Sequence, residues 1–520
     1  MKTILQSLKA NMKEDRLVYV LALSAFIVHL ATGWQYGYFR DELYYVSMSN
    51  HLDFGYVDIS PIVPWLMRIS RFVFGDSVFA FHILPALCAG IIIMITANIA
   101  KKMGGGKFAC LMAGIAVFAA PMFRLFGAMF TYDIFDQLTS AILIYTIVLI
   151  LNANEQAEYK RAWILFGIAA GVGLMVKITI MFLVFAFAVG LLLTKNRKFY
   201  KTKYLWFGAF TALLIFSPYI VWQALHGFPI LEYWGNYASR IFEAGIFEYI
   251  LMEIVMMNPL CLPLLIGGVY YLLHNKNGRK YSIFGHALWI YLAIAIFMSY
   301  KFYILSGAFL AVVSAGAILL EKWFASKKAI RSIYVAAVLL MGLFLLPVAV
   351  PVLPVETFIS VDLYSLVTGA VKAENIETVE LPQHFADRFG WEELAKDVSN
   401  VYHSLPAQER NDYAIFAMNY GQAGAIDLLG QRYGLPTSIS GQLSHYIWGP
   451  GEYDLNSVII VGYDDLQFKE DLRQIYDQVE HYPATKVKYA IPYENERAIF
   501  TCKGLKIEKN ELWGRVKNLS

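Results

Sequence analysis

Cysteine is scarce in this 520-residue chain. Its four residues, Cys88, Cys110, Cys261 and Cys502, make neither a disulfide framework nor a thiolate metal pair, and they leave the redox compartment open. Charge is scarce too, at 16% of residues, and a net charge of +3 says little by itself. No nucleic-acid partner is expected. The one glycine run, Gly104-Gly105-Gly106, reads as a tight turn, because no Walker or Rossmann pattern follows it. Internal repeats are missing as well.

What is abundant is apolar sequence: 58% hydrophobic residues and a mean hydropathy of +0.50. Repeated apolar runs of roughly 18 to 22 residues identify an α-helical polytopic membrane protein. About eleven helices are predicted, near residues 17–37, 78–100, 108–128, 134–152, 162–177, 178–194, 204–224, 250–273, 283–300, 303–320 and 332–350. Lys and Arg recur in alternate loops: before the first helix, at Lys101, Lys102 and Lys107, at Lys160 and Arg161, and from Lys195 to Lys203. They recur again from Lys276 to Lys280 and from Lys322 to Arg331. By the positive-inside rule these loops are cytoplasmic, so the N-terminus lies inside and residues after about 352 lie outside. The run Leu17–Gly37 is long for a signal-peptide core and no small-residue cleavage site follows it, so it reads as a signal anchor. The expected location is the inner (plasma) membrane, with a periplasmic or extracellular C-terminal domain.

The scarce acids cluster. Residues 38–61 hold Asp41, Glu42, Asp53 and Asp58, with Arg40 and His51, among Tyr38, Phe39, Tyr44, Tyr45, Phe54 and Tyr56. Tyrosine-rich sequence beside an apolar span belongs at the headgroup level, where one end of the ring is apolar and the other wet. Residues 61–72 then read as an amphipathic interfacial helix, making the first outer loop, 38–77, a structured platform. An ordinary solvated loop is the bland alternative for any one of these acids.

Other candidate residues lie at the same expected level. Asp133 and Asp136 open the helix after Thr131, where Asp133 could simply cap it. Lys177 and Lys301 stand at outer helix ends, against the inside bias of the other lysines, with Tyr303 close to the second. They read either as an anion site or as snorkelling side chains. Arg124 and Arg240 are weaker candidates for that site. From about residue 355 charges become frequent and apolar runs shorten, which defines a soluble α/β domain of residues 355–520 after a membrane domain of residues 1–354. Tyr413–Met418 and Ser457–Gly462 read as buried strands and Gly421–Gly434 as a helix closed by glycine. The loop Gly441–Pro450 offers His445, Tyr446 and Trp448 as sugar-contact types.

Acids, helix-end cations and aromatics at one face suit transfer from an amphiphilic phosphate. The phosphate leaves without a general acid, and an acceptor hydroxyl needs a carboxylate base. The segments Phe39-Arg-Asp-Glu-Leu-Tyr-Tyr45, His51-Leu-Asp-Phe-Gly-Tyr-Val-Asp-Ile-Ser-Pro61, Phe74-Gly-Asp-Ser77, Lys301-Phe-Tyr303, Leu381–Trp391, Asn419-Tyr-Gly-Gln-Ala423 and Trp448-Gly-Pro450 carry a resemblance. Through them the chain resembles the dolichyl-phosphate-mannose protein mannosyltransferase-like proteins. These are prokaryotic members of the GT-C glycosyltransferase superfamily, which includes the aminoarabinose transferases of lipid A.

The resemblance implies an inverting transferase that takes its sugar from a polyprenyl-phosphate donor, in a GT-C membrane fold. The acceptor would be a protein, lipid or glycan. Asp41 matches the loop acid taken as base, Asp58 the second loop acid, and Glu42 is their neighbour. In the aminoarabinose branch the second acid is a Glu followed by Lys-Pro-Pro. Here Asp58 is followed by Ile59-Ser60-Pro61, which shifts phosphate binding onto Lys177, Lys301 and Tyr303. Asp133, Asp136, His51 and Trp448 remain for acceptor or sugar contacts, and Asp41 with Asp58 for an optional divalent cation. A transporter or flippase would place its groups near the midplane, usually within internal repeats. A non-catalytic assembly partner would leave the Asp41 loop unexplained.

Overall fold

The computed structural model describes residues 15–237, 245–362 and 380–520. Arg240 lies outside them. Contacts divide the chain into two compact units. The first is Met1–Gln35, His82–Ile220 and Ile241–Ala373, and the second is Tyr36–Phe81, Val221–Arg240 and Glu374–Ser520.

The first unit is helical. Among the described residues of the whole chain, seven helices are long and apolar enough to cross a membrane, or up to ten if each of three bent pairs is one span. The difference from the eleven runs predicted has local causes. The run at 108–128 bends by 64° between Lys107–Ala119 and Pro121–Gly127, because Ala120 is extended ahead of Pro121. The run at 250–273 bends by 92° where Asn258 takes φ 69° before Pro259. The segment Ile180–Leu193 turns through 108° into a short 3-10 stretch. The eleventh run forms Lys328–Phe344, whose 17 residues extend about 25 Å, short of a hydrocarbon core of roughly 30 Å. The glycine run is a turn, and the Glu321 carboxylate accepts the backbone N–H groups of Gly106, Phe108 and Ala109 at 2.7, 3.0 and 3.2 Å. The start of the helix Lys107–Ala119 is thus capped from within the protein.

The second unit is built on a five-stranded sheet. Its strands are β1 (Ala414–Ala417), β2 (Ser438–Ser440), β3 (Ser457–Tyr463), β4 (Tyr476–Pro483) and β5 (Arg497–Leu505), in the order β2-β1-β3-β5-β4. The pairs β1 with β2 and β1 with β3 are parallel, while β3 with β5 and β5 with β4 are antiparallel. Both strands expected from apolar runs are present, and the expected helix forms as Tyr420–Leu429 with a 3-10 extension closed by Gly434 at φ 69°. Val458, Ile460, Phe500 and the unpaired Cys502 are buried in the core.

The segment 38–77, read from sequence as a structured first outer loop of the membrane domain, clusters by its contacts with the C-terminal residues. It forms the helices Arg40–Asn50 and Ile62–Phe74. The helix Arg40–Asn50 lies against Tyr420–Leu429 so closely that a Cβ on Gly424 would stand 2.2 Å from the Leu43 carbonyl oxygen. Neither backbone can retreat without opening the packing, so Gly424→Val is expected to destabilise the second unit by about 1–3 kcal/mol. Thermal unfolding of the purified chain should show a lowered transition, whereas an unchanged one would mean that the two helices are not packed this way.

Candidate functional site

Asp41 and Asp58 belong to the second unit, and each is held by a tyrosine. Helix Arg40–Asn50 starts where Phe39 is extended, and Glu42 reaches back to accept the Phe39 N–H at 2.9 Å. Acids in the first turn also favour the positive end of the helix. Glu42 is fully buried in this role, so it holds the loop's shape. Asp41, one residue earlier, is partly exposed and accepts a hydrogen bond from the Tyr420 hydroxyl at 3.0 Å. The Tyr44 hydroxyl donates to Asp58 Oδ1 at 3.0 Å, and the Tyr44 and Tyr420 rings pack 4.8 Å apart. Two carboxylates are thereby fixed by two touching rings. Arg40 pairs with Asp387 at 3.7 Å, bonds the Tyr493 hydroxyl and lies over the Tyr420 ring. Tyr420 is therefore clamped from behind.

Burial pushes the Asp58 carboxyl up to about 7, the Tyr44 hydrogen bond opposes this, and the charge of Asp41 adds to it. Near neutral pH the pair therefore holds a proton that the unfolded chain has already released. The sign follows directly. Between the ordinary Asp value of 3.8 and about 7 the folded state binds more protons, so stability falls as pH rises through that window and is level above it. Asp58→Asn removes the titration. It should leave the unfolding temperature unchanged near the lower end of the window and raise it relative to the parent above the upper end. Equal differences at both ends would show that Asp58 does not titrate in this way.

The first unit gathers the cations. Lys177 follows the helix Gln156–Val176, where a positive charge suits the negative helix end, and it pairs with Asp133 Oδ1 at 2.6 Å. Its ammonium lies 4.5 Å from the centre of the Tyr132 ring and 5.3 Å from that of Tyr303, while Lys301 lies 6.0 Å from Tyr303. Both lysines thus lie near the one Tyr303 ring, which also packs edge-on against Phe126 at 4.9 Å. Asp133 does not cap its helix, because Thr131 holds the cap position and the Asp133 carboxylate goes to Lys177. Asp136 is buried one turn further on. Arg124 is turned away from any such role, bonded to the Phe118 carbonyl with its guanidinium over the Phe118 ring.

His51 and Trp448 meet in the second unit, stacked at 4.3 Å with 14° between their planes. The proposed acceptor contacts are therefore divided, with Asp133 and Asp136 in the first unit and His51 and Trp448 in the second. Among the described residues no three His, Cys, Asp or Glu side chains converge as a metal site, and Asp41 with Asp58 provide two carboxylates only. The sequence reading overlooked Tyr44 and Tyr420 as partners of the acids, and Asp427, which accepts the Ser47 hydroxyl at 2.9 Å. Spacing offered one signal for this packing. Gly421 and Gly424 clear one face of a helix, which marks a close neighbour.

Residues 58–222 match the family model described as dolichyl-phosphate-mannose-protein mannosyltransferase, a stretch that contains Asp58, Asp133, Asp136 and Lys177. No curated protein matches the chain in sequence. The crystal structure of ArnT from Cupriavidus metallidurans bound to undecaprenyl phosphate is similar with a TM-score of 0.62 at 13% identity, covering 94% of this chain and 98% of that one. Its apo form is similar with a TM-score of 0.61, again at 13% identity, covering 95% and 98%. The archaeal oligosaccharyltransferase AglB from Archaeoglobus fulgidus, in complex with an inhibitory peptide and a dolichol-phosphate, gives 0.52 at 11% identity, covering 87% and 70%. At these identities the likeness establishes the fold. The chain thus shares the fold of these structures, with seven to ten candidate membrane spans among its described residues, and residues 58–222 are similar to the dolichyl-phosphate-mannose-protein mannosyltransferase family.

Proposed function

We propose that this protein is an inverting glycosyltransferase that moves a sugar from a polyprenyl-phosphate donor to a hydroxyl of an envelope or secreted acceptor. The observation that carries this reading is the pair Asp41 and Asp58, each fixed by a tyrosine and the two tyrosine rings in contact. Asp41 takes the proton of the acceptor hydroxyl, the acceptor oxygen bonds to the anomeric carbon, and the bond from that carbon to the phosphate oxygen breaks. The electron pair leaves with the polyprenyl phosphate, which needs no proton. Lys177 and Lys301, both near the Tyr303 ring, hold that phosphate, and the positive charge stabilises it most as its own charge develops. Asp58 orients the acceptor, Glu42 supports the loop, and Asp133 holds Lys177 in position.

The match of residues 58–222 to a mannosyltransferase family supports the reaction class. The similar structures solved with undecaprenyl phosphate and with a dolichol-phosphate support a polyprenyl-phosphate donor. The alternation of basic loops supports a cytoplasmic N-terminus and an extracytoplasmic second unit. Mass spectrometry of lipid-linked and envelope glycans from cells with and without the protein tests the reading. Loss of one glycan, together with accumulation of its lipid-linked sugar, is expected. Unchanged glycans and lipid intermediates would refute it.

A further inference from the structure

The second unit contains a cleft of about 840 Å³ that holds neither Asp41 nor Asp58. That volume lies within the range of roughly 300–1,000 Å³ typical of small-ligand pockets. Its walls come from the loop before β1, the segment around β2, the turn after Trp448 and the start of β3, with His51 from the outer loop. Five acids line it, namely Glu409, Asp412, Asp427, Glu452 and Asp454, against a single lysine. That lysine, Lys503, is already paired with Glu409 at 2.8 Å. The remaining charge is negative.

Neutral polar groups fill the gaps between the acids. Asn411, Thr437 and Asn456 line the cleft, as do the aromatic residues Trp448 and Tyr453. Carboxylates and amides accept and donate to neighbouring hydroxyls, while aromatic surface takes the apolar face of a pyranose ring. Phosphate, sulfate and uronate groups would meet uncompensated carboxylates.

A second feature points to a ligand independently of the acids. His445 lines the cleft, is 3% exposed, and neither ring nitrogen has a hydrogen-bond partner among the described residues. A buried imidazole left without partners is costly, and native structures seldom tolerate it without a reason. Burial keeps the ring neutral, with its pKa lowered to about 3, so it offers one donor and one acceptor. A sugar hydroxyl is itself both. His445 lies edge-on to Trp448 at 4.6 Å and stacks on Tyr44 at 5.7 Å, and Tyr44 in turn holds Asp58. The unpartnered imidazole thus lines the cleft one side chain away from Asp58.

We infer that this cleft is a saccharide-binding site that takes an oligosaccharide without negative charge, neutral or amine-bearing, through Trp448, His445 and the surrounding acids. Resting on the transferase reading, it names the acceptor as a glycan and gives that glycan a holding site apart from the acids that react.

The test uses the full chain in lipid nanodiscs and saturation-transfer NMR, with no sugar donor present. The probes are N-acetylglucosamine trisaccharide, its de-N-acetylated counterpart, a sulfated trisaccharide and a trilysine peptide. Transfer to the first two is expected, with the sulfated probe bound on the order of tenfold more weakly. His445→Phe keeps the ring's shape and burial without its nitrogens, and Glu452→Gln alters an exposed side chain. Each should weaken trisaccharide binding several-fold while the unfolding temperature stays near that of the parent. Equal binding of the sulfated probe, binding of trilysine in preference to the sugars, no trisaccharide signal at millimolar concentration, or unchanged affinity in His445→Phe would each overturn the proposal. Because no sugar is transferred in this assay, a failure here leaves the roles of Asp41 and the lysines to be decided by turnover. Conversely, trisaccharide binding by a chain that never cleaves a donor would separate the cleft from the transferase reading.

Discussion

Asp41→Asn should lower sugar transfer by roughly 10² to 10⁴ while donor affinity stays near that of the parent, because the amide keeps the carboxylate's shape and loses its basicity. The Tyr420 hydroxyl can still donate to the amide oxygen, so the loop should keep its form. Glu42→Gln provides the internal comparison. Glu42 is fully buried and spends its carboxylate on the Phe39 N–H, and a glutamine oxygen can accept that bond, so its effect on chemistry should be far milder. Single-turnover transfer by folded, donor-binding variants in defined lipid is the measurement. Near-normal transfer by Asp41→Asn would end its assignment as base, and a larger loss at Glu42 than at Asp41 would move the base by one residue.

Lys301→Ala should lower turnover on the order of a hundredfold, since a charge-assisted contact to a desolvated phosphate contributes about 2–4 kcal/mol in the transition state. Lys177 calls for a different design. Its ammonium is paired with a buried Asp133, so Lys177→Ala removes a phosphate contact and also strands a carboxylate, which destabilises the fold. The double variant Lys177→Met with Asp133→Asn removes both charges. It should recover much of the lost stability without recovering turnover. If turnover returns with stability, Lys177 serves only to neutralise Asp133. Donor binding and turnover unchanged in Lys301→Ala would remove Lys301 from the phosphate site.

The candidate site was legible in sequence where scarcity made a residue conspicuous. Asp41 and Asp58 stood out because acids are few in an apolar chain, and Lys177 and Lys301 because they break an otherwise regular distribution of lysine. The structure then supplies what composition cannot, the approach of Lys177 to the Tyr303 ring that Lys301 also meets and the two tyrosines on the acids. Those tyrosines come from positions far apart in the chain. Tyr420 reaches Asp41 only because Gly424 lets its helix approach Leu43, and such a contact leaves no periodic signature.

Helix number was less legible for a related reason. Hydropathy sums over a run and is insensitive to one non-helical residue before a proline, so Ala120-Pro121 and Asn258-Pro259 vanish inside apolar sequence although each bends the chain sharply. The membership of the outer loop was similarly hidden. Its aromatics and amphipathic helix are as compatible with packing on the C-terminal residues as with lying on a bilayer, and the buried Tyr44 and Tyr45 pack within the second unit.

The central claim is that the protein breaks a sugar–phosphate bond and makes a new glycosidic one. The most direct measurement follows a polyprenyl-phosphate sugar with an isotopically labelled anomeric carbon, incubated with the purified chain and an acceptor extract in lipid. The account predicts stoichiometric release of free polyprenyl phosphate and a glycosylated acceptor whose labelled carbon has the opposite anomeric configuration to the donor. Intact donor that has only changed membrane leaflet, or a product with retained configuration, would contradict it.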